Sequence, residues 1–289
     1  MILIIDSGST KTDWVVSENG NVRLRVETVG MNPVHMSEDE LAVVIANSRI
    51  PSSDFGDGLL HVFFYGAGCV SPFKEKVEKA LAKSFPGSDV NVESDLLGAA
   101  RALFGRSSGI ACILGTGSNS CLYDGERIVE NVPPLGYILG DEGSGTHIGK
   151  RFLNAIFKGE LPASLRDRYL AETSLTYADV IRKVYREPLA NRFLASCSLF
   201  LGKCLADSEI DNDVRSLLRQ IVVGCFEDFF QKNIARYGYV GDTLSVGAIG
   251  SIVYHYEAIF RDVAERRACQ VAAVAKSPIE GLLRFHAAE

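Results

Sequence analysis

The sequence predicts an α/β protein built from two related units. A short apolar run at residues 2–5 is followed by a polar, glycine-containing turn and two further strand-like segments. The same succession begins again at residues 111–114, after Gly105. Segments with the 3.6-residue apolar period of amphipathic helices follow in both halves. Because the unit recurs only once and is irregular, we interpret it as an internal duplication and not as a solenoid.

Chain length agrees with two domains, since a domain commonly has about 100–200 residues and the chain has 289. We place the boundary at Gly105, which gives an N-terminal domain of residues 1–105 and a C-terminal domain of residues 106–289.

Local signals place the elements of the first half. Ser37 and Glu40 have the spacing of a capping box, in which each side chain bonds the backbone of the other, so we expect a helix from residue 37. Pro72 is suited to the first position of a second helix, and Gly105 closes a third. The predicted strands are residues 2–5, 13–17, 22–29, 61–65 and 90–92, and the predicted helices are residues 37–46, 71–83 and 94–104.

The second half repeats the opening pattern before it becomes helical. Aligning the two apolar starts puts Gly8 over Gly117 and Ser9 over Ser118. The Asp124-Gly125 pair is a strong signal for a tight turn between strands. Residues 144–237 have mostly amphipathic helical periodicity. From residue 243 the pattern predicts a strand, a glycine turn and a helix.

Composition limits the classes of partner. A formal net charge of −6 argues against nucleic acid or an anionic membrane as the main partner. Seven scattered cysteines without a C-x-x-C pair do not suggest a disulfide framework or a metal–thiolate site. No apolar run approaches the roughly 20 residues that a membrane span needs. We therefore expect a reduced, cytoplasmic protein that does not interact with membranes.

The opening turn carries more polar groups than a simple reversal of the chain requires. Glycine allows backbone N–H groups to approach an anion, and hydroxyl groups and Lys11 add further donors. Asp6, at the end of the first strand, would repel a bound phosphate unless Mg²⁺ lies between them. The alternative interpretation is a structural hairpin that carries additional polar residues. Two copies of the turn favour a pair of phosphate loops that face each other.

Five motifs, in order, resemble those of the superfamily that contains sugar kinases, actin and heat-shock ATPases. They are DSGSTKTDW, SDLLGAARAL, LGTGSNS, LGDEGSG and SVGAIGSI. More narrowly, they resemble the N-acetylglucosamine kinase branch, which is grouped with the BadF/BadG/BcrA/BcrD ATPases. The resemblance implies two ribonuclease-H-like lobes of βββαβα topology, an actin-like ATPase architecture, with ATP and sugar in a cleft between them. It also implies ATP and Mg²⁺ as cofactors and a homodimer as a candidate assembly.

The resemblance further implies roles for individual residues. Asp6 would position the metal ion, and Asp95 would be the general base. The ATP-binding residues would be Ser7, Gly8, Ser9, Thr10, Lys11, Thr12, Gly115, Thr116, Gly117, Ser118, Gly247, Gly250 and Ser251. The sugar-binding residues would be Asn32, Gly68, Asn119 and Asp141. Glu142 and His147 lie near these positions, and His147 can equally be read as a structural histidine.

Asp95 also has a local interpretation. It follows Ser94 at the start of a predicted helix, where the helix dipole favours an ionised carboxylate. Spacing alone is compatible with a simple helix-terminal charge, and the family resemblance favours a base that accepts the proton of a sugar hydroxyl.

Three alternatives remain open. The first is a dinucleotide-binding loop: residues 61–81 read as a strand, a G-x-G-x-x-S turn and a helix, and Glu93 follows them. The internal duplication, however, has no place in a dinucleotide-binding fold. A partner-coupled ATPase of the BadF/BadG type shares the superfamily. A sugar-binding regulator without turnover is the third. The favoured hypothesis is an ATP-dependent kinase for a hydroxyl of an amino sugar, most directly N-acetylglucosamine.

Overall fold

The computed structural model describes residues 1–8, 10–50, 60–238 and 245–287, which contain ten strands, twelve α-helices and a short 3₁₀-helix at Ile234–Tyr237. Ser9, one of the predicted phosphate ligands, lies outside these residues. The strands are β1 Ile2–Ser7, β2 Lys11–Glu18, β3 Asn21–Val29, β4 His61–Gly66, β5 Asp89–Ser94, β6 Gly109–Leu114, β7 Ser118–Tyr123, β8 Ile128–Glu130, β9 Val246–Ile249 and β10 Val271–Ala275. The helices are α1 Glu38–Asn47, α2 Lys74–Ser84, α3 Asp95–Phe104, α4 Gly136–Leu139, α5 Gly145–Lys158, α6 Ala163–Thr173, α7 Tyr177–Tyr185, α8 Ala190–Ala206, α9 Asn212–Lys232, α10 Ser251–His255, α11 Glu257–Arg266 and α12 Ile279–Ala287.

The first sheet brings three strand ends to one edge. Its order is β3-β2-β1-β4-β5, with β1 to β3 antiparallel and with β4 and β5 parallel to β1. Ser7 pairs with Gly66, and Gly66 pairs with Ser94. Since parallel strands end at the same edge of a sheet, side chains at the ends of β1, β4 and β5 are neighbours.

The second sheet has the same order when each strand is matched to its counterpart. Its order is β10-β9-β6-β7-β8, so β6 to β10 occupy the places of β1 to β5. The predicted α/β fold and its internal duplication are therefore confirmed. Counted from the strand ends, however, Gly8 corresponds to Gly115 and not to Gly117. The alignment by apolar residues is shifted by two, because a two-residue slip in a strand preserves which side chains face the core.

The chain divides into two compact units. The first unit comprises Met1–Ala111, Tyr123–Val129 and Ser277–Glu289, and the second comprises Cys112–Leu122 and Glu130–Lys276. Helix α12 belongs to the first unit because its buried Ile279 and Leu282 pack in one apolar cluster with Ile4. The sequence-based boundary after residue 105 stays a prediction.

Caps and core residues explain why the elements form where they do. Ser37 and Glu40 make the capping box predicted for α1, with Glu40 N–H donating to Ser37 Oγ at 3.2 Å. Gly105 ends α3 as expected. Helix α2 begins at Lys74, later than the predicted start at residue 71. Six of the seven cysteines are buried, as expected for small core residues. Among the described residues, no helix is long and apolar enough to cross a bilayer.

Replacing Gly149 by Ala is expected to destabilise the protein by about 3 kcal/mol, because overpacking a core contact is costly. Gly149 lies where α5 crosses α8, and an added Cβ would collide with the carbonyl oxygen of Leu194. Gly224→Ala in α9 is the matched control. Its Cβ would make only an ordinary 3.6 Å contact with Arg151, and alanine is about 1 kcal/mol more favourable than glycine inside a helix.

Urea unfolding of the two variants measures this difference. We expect a lower midpoint for Gly149→Ala and an equal or higher one for Gly224→Ala. Equal midpoints would contradict the close α5–α8 packing.

Candidate functional site

Two carboxylates lie at the edge of the first sheet where β1, β4 and β5 end. Asp6 is the penultimate residue of β1 and pairs with Asp13 on β2 and Tyr65 on β4. Asp95 is the first residue of α3, directly after β5. Ser94 caps this helix through its side chain, which accepts from Leu97 N–H at 3.2 Å. Parallel pairing and the cap thus position Asp95 on the same edge as Asp6.

The two carboxyl groups are shifted towards the protonated form. Burial, followed by the charges of Asp95 and Asp13, raises the pKa of Asp6 to about 7, against the opposing charge of Lys11. Burial raises the pKa of Asp95 to about 6, although the N–H of Leu96 opposes it from 2.9 Å. Burial therefore affects the pKa of Asp95 more than the helix-terminal amide groups, which we expected to favour the ionised carboxylate. At pH 7 a group with this pKa is still about 90% ionised.

Two of the predicted phosphate ligands make hydrogen bonds that hold the first polar turn in place. Ser7 Oγ and Thr12 Oγ1 lie 2.8 Å apart and are fully buried. Met31 N–H donates to Ser7 Oγ at 2.8 Å, and Thr12 Oγ1 donates to the carbonyl of Val29 at 2.9 Å. The Thr12 hydroxyl thus joins β2 to the last residue of β3, and the Ser7 hydroxyl joins β1 to the chain that follows β3. Their role towards phosphate stays a prediction.

Gly8 and Thr10, the described residues between β1 and β2, are both held by backbone hydrogen bonds. Gly8 N–H donates to the Lys11 carbonyl at 3.0 Å, and the Thr10 carbonyl accepts from Gly30 N–H at 3.1 Å. Lys11 Nζ lies 3.0 Å from carboxylate oxygens of both Asp13 and Glu27. Lys11 therefore balances acidic residues in this structure, and a phosphate would compete with them for it.

The second polar turn is held by the N-terminus of α5. Gly145 N–H donates to the Gly115 carbonyl at 2.8 Å, and Thr146 donates to the Thr116 carbonyl through N–H at 3.2 Å and through Oγ1 at 2.6 Å. In a trans peptide the N–H points away from the C=O. The N–H groups of Thr116 and Gly117 consequently point away from α5. Two successive amides with this orientation are suited to an anion.

Asp141 lies directly beside this turn. Its Oδ1 accepts from Ser118 N–H at 3.2 Å, and Ser118 Oγ donates to the Glu142 carbonyl at 2.7 Å. A Cβ added to Gly117 would lie 3.0 Å from Asp141 Oδ2. Burial raises the pKa of Asp141, while the Ser118 N–H opposes the shift. The structure thus brings together one predicted sugar ligand and two predicted phosphate ligands.

The other predicted sugar ligands fall into two places. Asn32 and Gly68 are adjacent in the first unit, where a Cβ on Gly68 would lie 2.5 Å from Asn32 Oδ1. Gly68 has φ +76°, which also favours glycine. Asn119 lies in the second unit, and its Oδ1 accepts from Asn131 Nδ2 at 2.9 Å.

The glycine motif near the C-terminus joins β9 to α10. Gly247 lies in β9, where it pairs with Ala273. Gly250 has φ +132°, and a Cβ there would collide with the Leu114 carbonyl at the end of β6. A cavity of about 660 Å³ lies beside the exposed Ser251. Its walls include Ser251, Ile252 and His255 of the motif helix and Leu199, Gly202 and Lys203 of α8.

Two residues at these sites were not assigned from the sequence. Asp13 contributes to the raised pKa of Asp6, and its position opposite Asp6 would follow once the antiparallel register that pairs Ser7 with Thr12 is assumed. Thr146 holds the second turn from 30 residues away. No local sequence pattern predicts a hydrogen bond between residues so far apart in the chain.

Two α/β units with the same strand order, each with a glycine-containing turn after its first strand, define the class of actin-like ATPase folds. A putatively assigned N-acetylglucosamine kinase from Porphyromonas gingivalis is 41% identical, covering 100% of this chain and 99% of that chain, with a TM-score of 0.92. The chain therefore belongs to the N-acetylglucosamine kinase family.

More distant structures share the fold alone. One is a second provisionally assigned N-acetylglucosamine kinase, from Chromobacterium violaceum, with 17% identity, 98% of each chain covered and a TM-score of 0.69. Another is the ethanolamine utilization protein EutJ from Carboxydothermus hydrogenoformans, with 15% identity, 99% of this chain and 88% of that chain covered, and a TM-score of 0.55. No protein-family model matches the chain, and a search of curated proteins gave no significant match.

Proposed function

We propose that the protein is an ATP-dependent kinase that phosphorylates a hydroxyl group of an amino sugar, most directly N-acetylglucosamine. The observation that carries this proposal is the carboxylate of Asp95 at the edge of the first sheet, beside Asp6. Its pKa of about 6 lies just below neutrality, which suits a general base that accepts a proton near pH 7. The 41% identity over the full chain to the P. gingivalis protein supports the same reaction class.

Asp95 would accept the proton of the attacking sugar hydroxyl. Phosphoryl transfer needs little covalent help from the protein, so a correctly positioned base and charge stabilisation provide most of the catalysis. The capped start of α3 holds the Asp95 carboxylate in place, since the Ser94 side chain and Leu96 N–H fix the first turn of the helix.

Asp6 fits the requirements for Mg²⁺ that arrives with ATP. Among the described residues, no group of three or more His, Cys, Asp or Glu side chains is arranged to hold a metal ion. Mg²⁺ commonly takes one or two carboxylates and obtains its other ligands from water and phosphate. The mutual repulsion of Asp6, Asp95 and Asp13 favours a cation at this edge. When bound, the ion would neutralise charge on the transferred phosphoryl group.

The glycine turns and the cavity beside α10 would hold ATP. The N–H groups of Thr116 and Gly117 point away from α5 and would be available to a phosphate. The cavity of about 660 Å³ beside Ser251 has a size suited to a small ligand. Asn32, Asn119 and Asp141 would bind the sugar, because amides and carboxylates can hold neighbouring hydroxyl groups.

Gly8→Ala and Gly115→Ala test the phosphate turns without disturbing the fold. Among the described atoms, a Cβ on Gly8 would come within 4 Å of the Lys11 carbonyl alone, at 3.8 Å, and one on Gly115 would come that close to none. We expect unchanged unfolding midpoints and a KM for ATP raised by about tenfold, since a methyl group would obstruct the close approach of phosphate to the backbone. Gly224→Ala is the control. An unchanged KM for ATP in both turn variants would contradict the assignment.

The proposed activity is tested by measuring ADP release with a panel of hexoses and N-acetylhexosamines. We expect ADP release to depend on an added sugar and to be fastest with an N-acetylhexosamine. The same rate without any sugar would indicate a partner-coupled ATPase. Binding of ATP and sugar without turnover would indicate a regulator.

A further inference from the structure

His147 connects two parts of the second unit through its two ring nitrogens. Its Nδ1 accepts from Gly143 N–H at 3.2 Å. Its Nε2 lies 3.8 Å from Asp228 Oδ2 on α9, and the His147 side chain is only 14% exposed. This arrangement requires a proton on Nε2 and a lone pair on Nδ1.

The surroundings favour this neutral form. Burial lowers the pKa of His147 to about 4. The charges that face the ring partly cancel, because Asp228 on α9 and Glu142 in the preceding turn favour protonation, whereas Lys150 and Arg151 on α5 oppose it. A positive charge is also unfavourable in the first turn of a helix.

The turn that His147 contacts has two residues with positive φ. Asp141 has φ +54°, a left-handed conformation that is uncommon for residues other than glycine, although Asp adopts it more often than most. Gly143 has φ +73° and packs so closely on Phe229 of α9 that a Cβ would approach its side chain to 2.9 Å. Lys232 Nζ lies 3.3 Å from Glu142 Oε1. The C-terminal part of α9 and His147 therefore support the turn from one side.

On its other side, the same turn contacts the second polar turn. Asp141 Oδ1 accepts from Ser118 N–H, and the Glu142 carbonyl accepts from Ser118 Oγ. A displacement of the Asp141–Gly143 peptide groups would move the Asp141 carboxylate and release Ser118 together.

We propose that His147 is a positioning residue that holds the turn of residues 141–143, so that the Asp141 carboxylate is kept in place for the sugar. The kinetic part of this proposal rests on the proposed function. The structural part, an Nδ1 acceptor that fixes Gly143 N–H, does not.

The ring tautomer tests the structural part on the wild-type protein. Long-range ¹H–¹⁵N spectra distinguish a protonated Nε2 from a protonated Nδ1, and the His147 signal is identified by its loss in His147→Asn. We expect the Nε2–H form throughout about pH 5.5–8, because the ring pKa lies well below this range. A proton on Nδ1, or a charged ring in this range, would overturn the proposal without any reference to activity.

Two variants test the kinetic part. Asn can place its side-chain oxygen near the position of Nδ1, whereas Leu removes the acceptor. We expect His147→Leu to raise the KM for the sugar by about tenfold with kcat within about threefold of wild type, and His147→Asn to stay within about threefold in both. His61→Leu, at a partly exposed position of the first sheet, is the control and should match wild type.

The possible failures can be told apart. A wild-type KM in His147→Leu, or an equal rise in both variants, would overturn the positioning role. If the wild-type protein turns over no sugar, the proposed function fails, and exchange of the Gly143 amide, expected to be about tenfold faster in His147→Leu, still tests the structural part. If His147→Leu does not fold, the tautomer of the wild-type ring decides.

Discussion

Asp95→Asn is expected to lower kcat by about 10²–10⁴-fold with little change in sugar affinity, because an amide cannot accept the proton of the sugar hydroxyl. Asn is close in size to Asp and can still accept from Leu96 N–H, so α3 should keep its first turn. Steady-state kinetics with a saturating sugar measure the effect. Undiminished kcat would remove Asp95 from the mechanism.

Asp89→Asn is the matched control for this variant. Asp89 begins the same strand, β5, that leads into Asp95, and it contacts His61 at the opposite end of the strand, 3.2 Å from Nδ1. Wild-type kcat in Asp89→Asn would show that the loss in Asp95→Asn is specific to the carboxylate at the other edge.

The pH dependence of kcat should follow the same carboxylate. The base must be ionised, so we expect kcat to fall as the pH decreases through the pKa of Asp95, about 6. Bound Mg²⁺ would lower this value, since a nearby cation favours the carboxylate. The residual activity of Asp95→Asn should lack this acidic limb. An identical limb in both proteins would assign the titration to another group.

Asp6→Asn is expected to raise the Mg²⁺ concentration that gives half-maximal activity by at least about tenfold, because the amide keeps an oxygen ligand but loses the charge. The measurement is a Mg²⁺ titration at saturating ATP and sugar. Asp89→Asn again serves as the control. An unaltered titration would exclude Asp6 from metal binding.

The same variant should stabilise the metal-free protein at about pH 8. The folded protein retains a proton on Asp6 up to about pH 7, whereas the unfolded chain releases it near the ordinary value of 3.8. Stability therefore falls as the pH rises between these values. Removing the half-buried charge should increase the free energy of unfolding by about 1–3 kcal/mol at the higher pH and by much less at about pH 5. A lower Tm at both pH values would contradict the repulsion between Asp6 and its neighbours.

Local patterns were sufficient for much of the fold. The capping box of Ser37 and Glu40 and the terminating Gly105 depend on residues close in sequence, and both were predicted correctly. The internal duplication could also be predicted from the sequence, because it repeats a local succession of strands and turns. The register of the repeat could not be predicted, because the alternation of apolar residues looks the same after a shift of two residues.

Tertiary contacts explain what the sequence left unassigned in the candidate site. Ser7 and Thr12 have hydroxyl groups that could bind a ligand, yet these groups are bonded to each other, to the end of β3 and to Met31 after it. The pKa of Asp95 depends on burial, which a helix-terminal position does not reveal. His147 and Asp228 lie about 80 residues apart in sequence, so only the fold shows their contact.

We propose that this chain transfers a phosphoryl group from ATP to a sugar hydroxyl. Phosphorus NMR of one reaction mixture with Mg²⁺, ATP and N-acetylglucosamine tests it most directly, because it separates a sugar phosphate ester from inorganic phosphate. We predict one equivalent of ester for each ADP formed, with Asp95→Asn giving almost none. Inorganic phosphate equal to the ADP, with no ester for any N-acetylhexosamine or hexose, would contradict the claim.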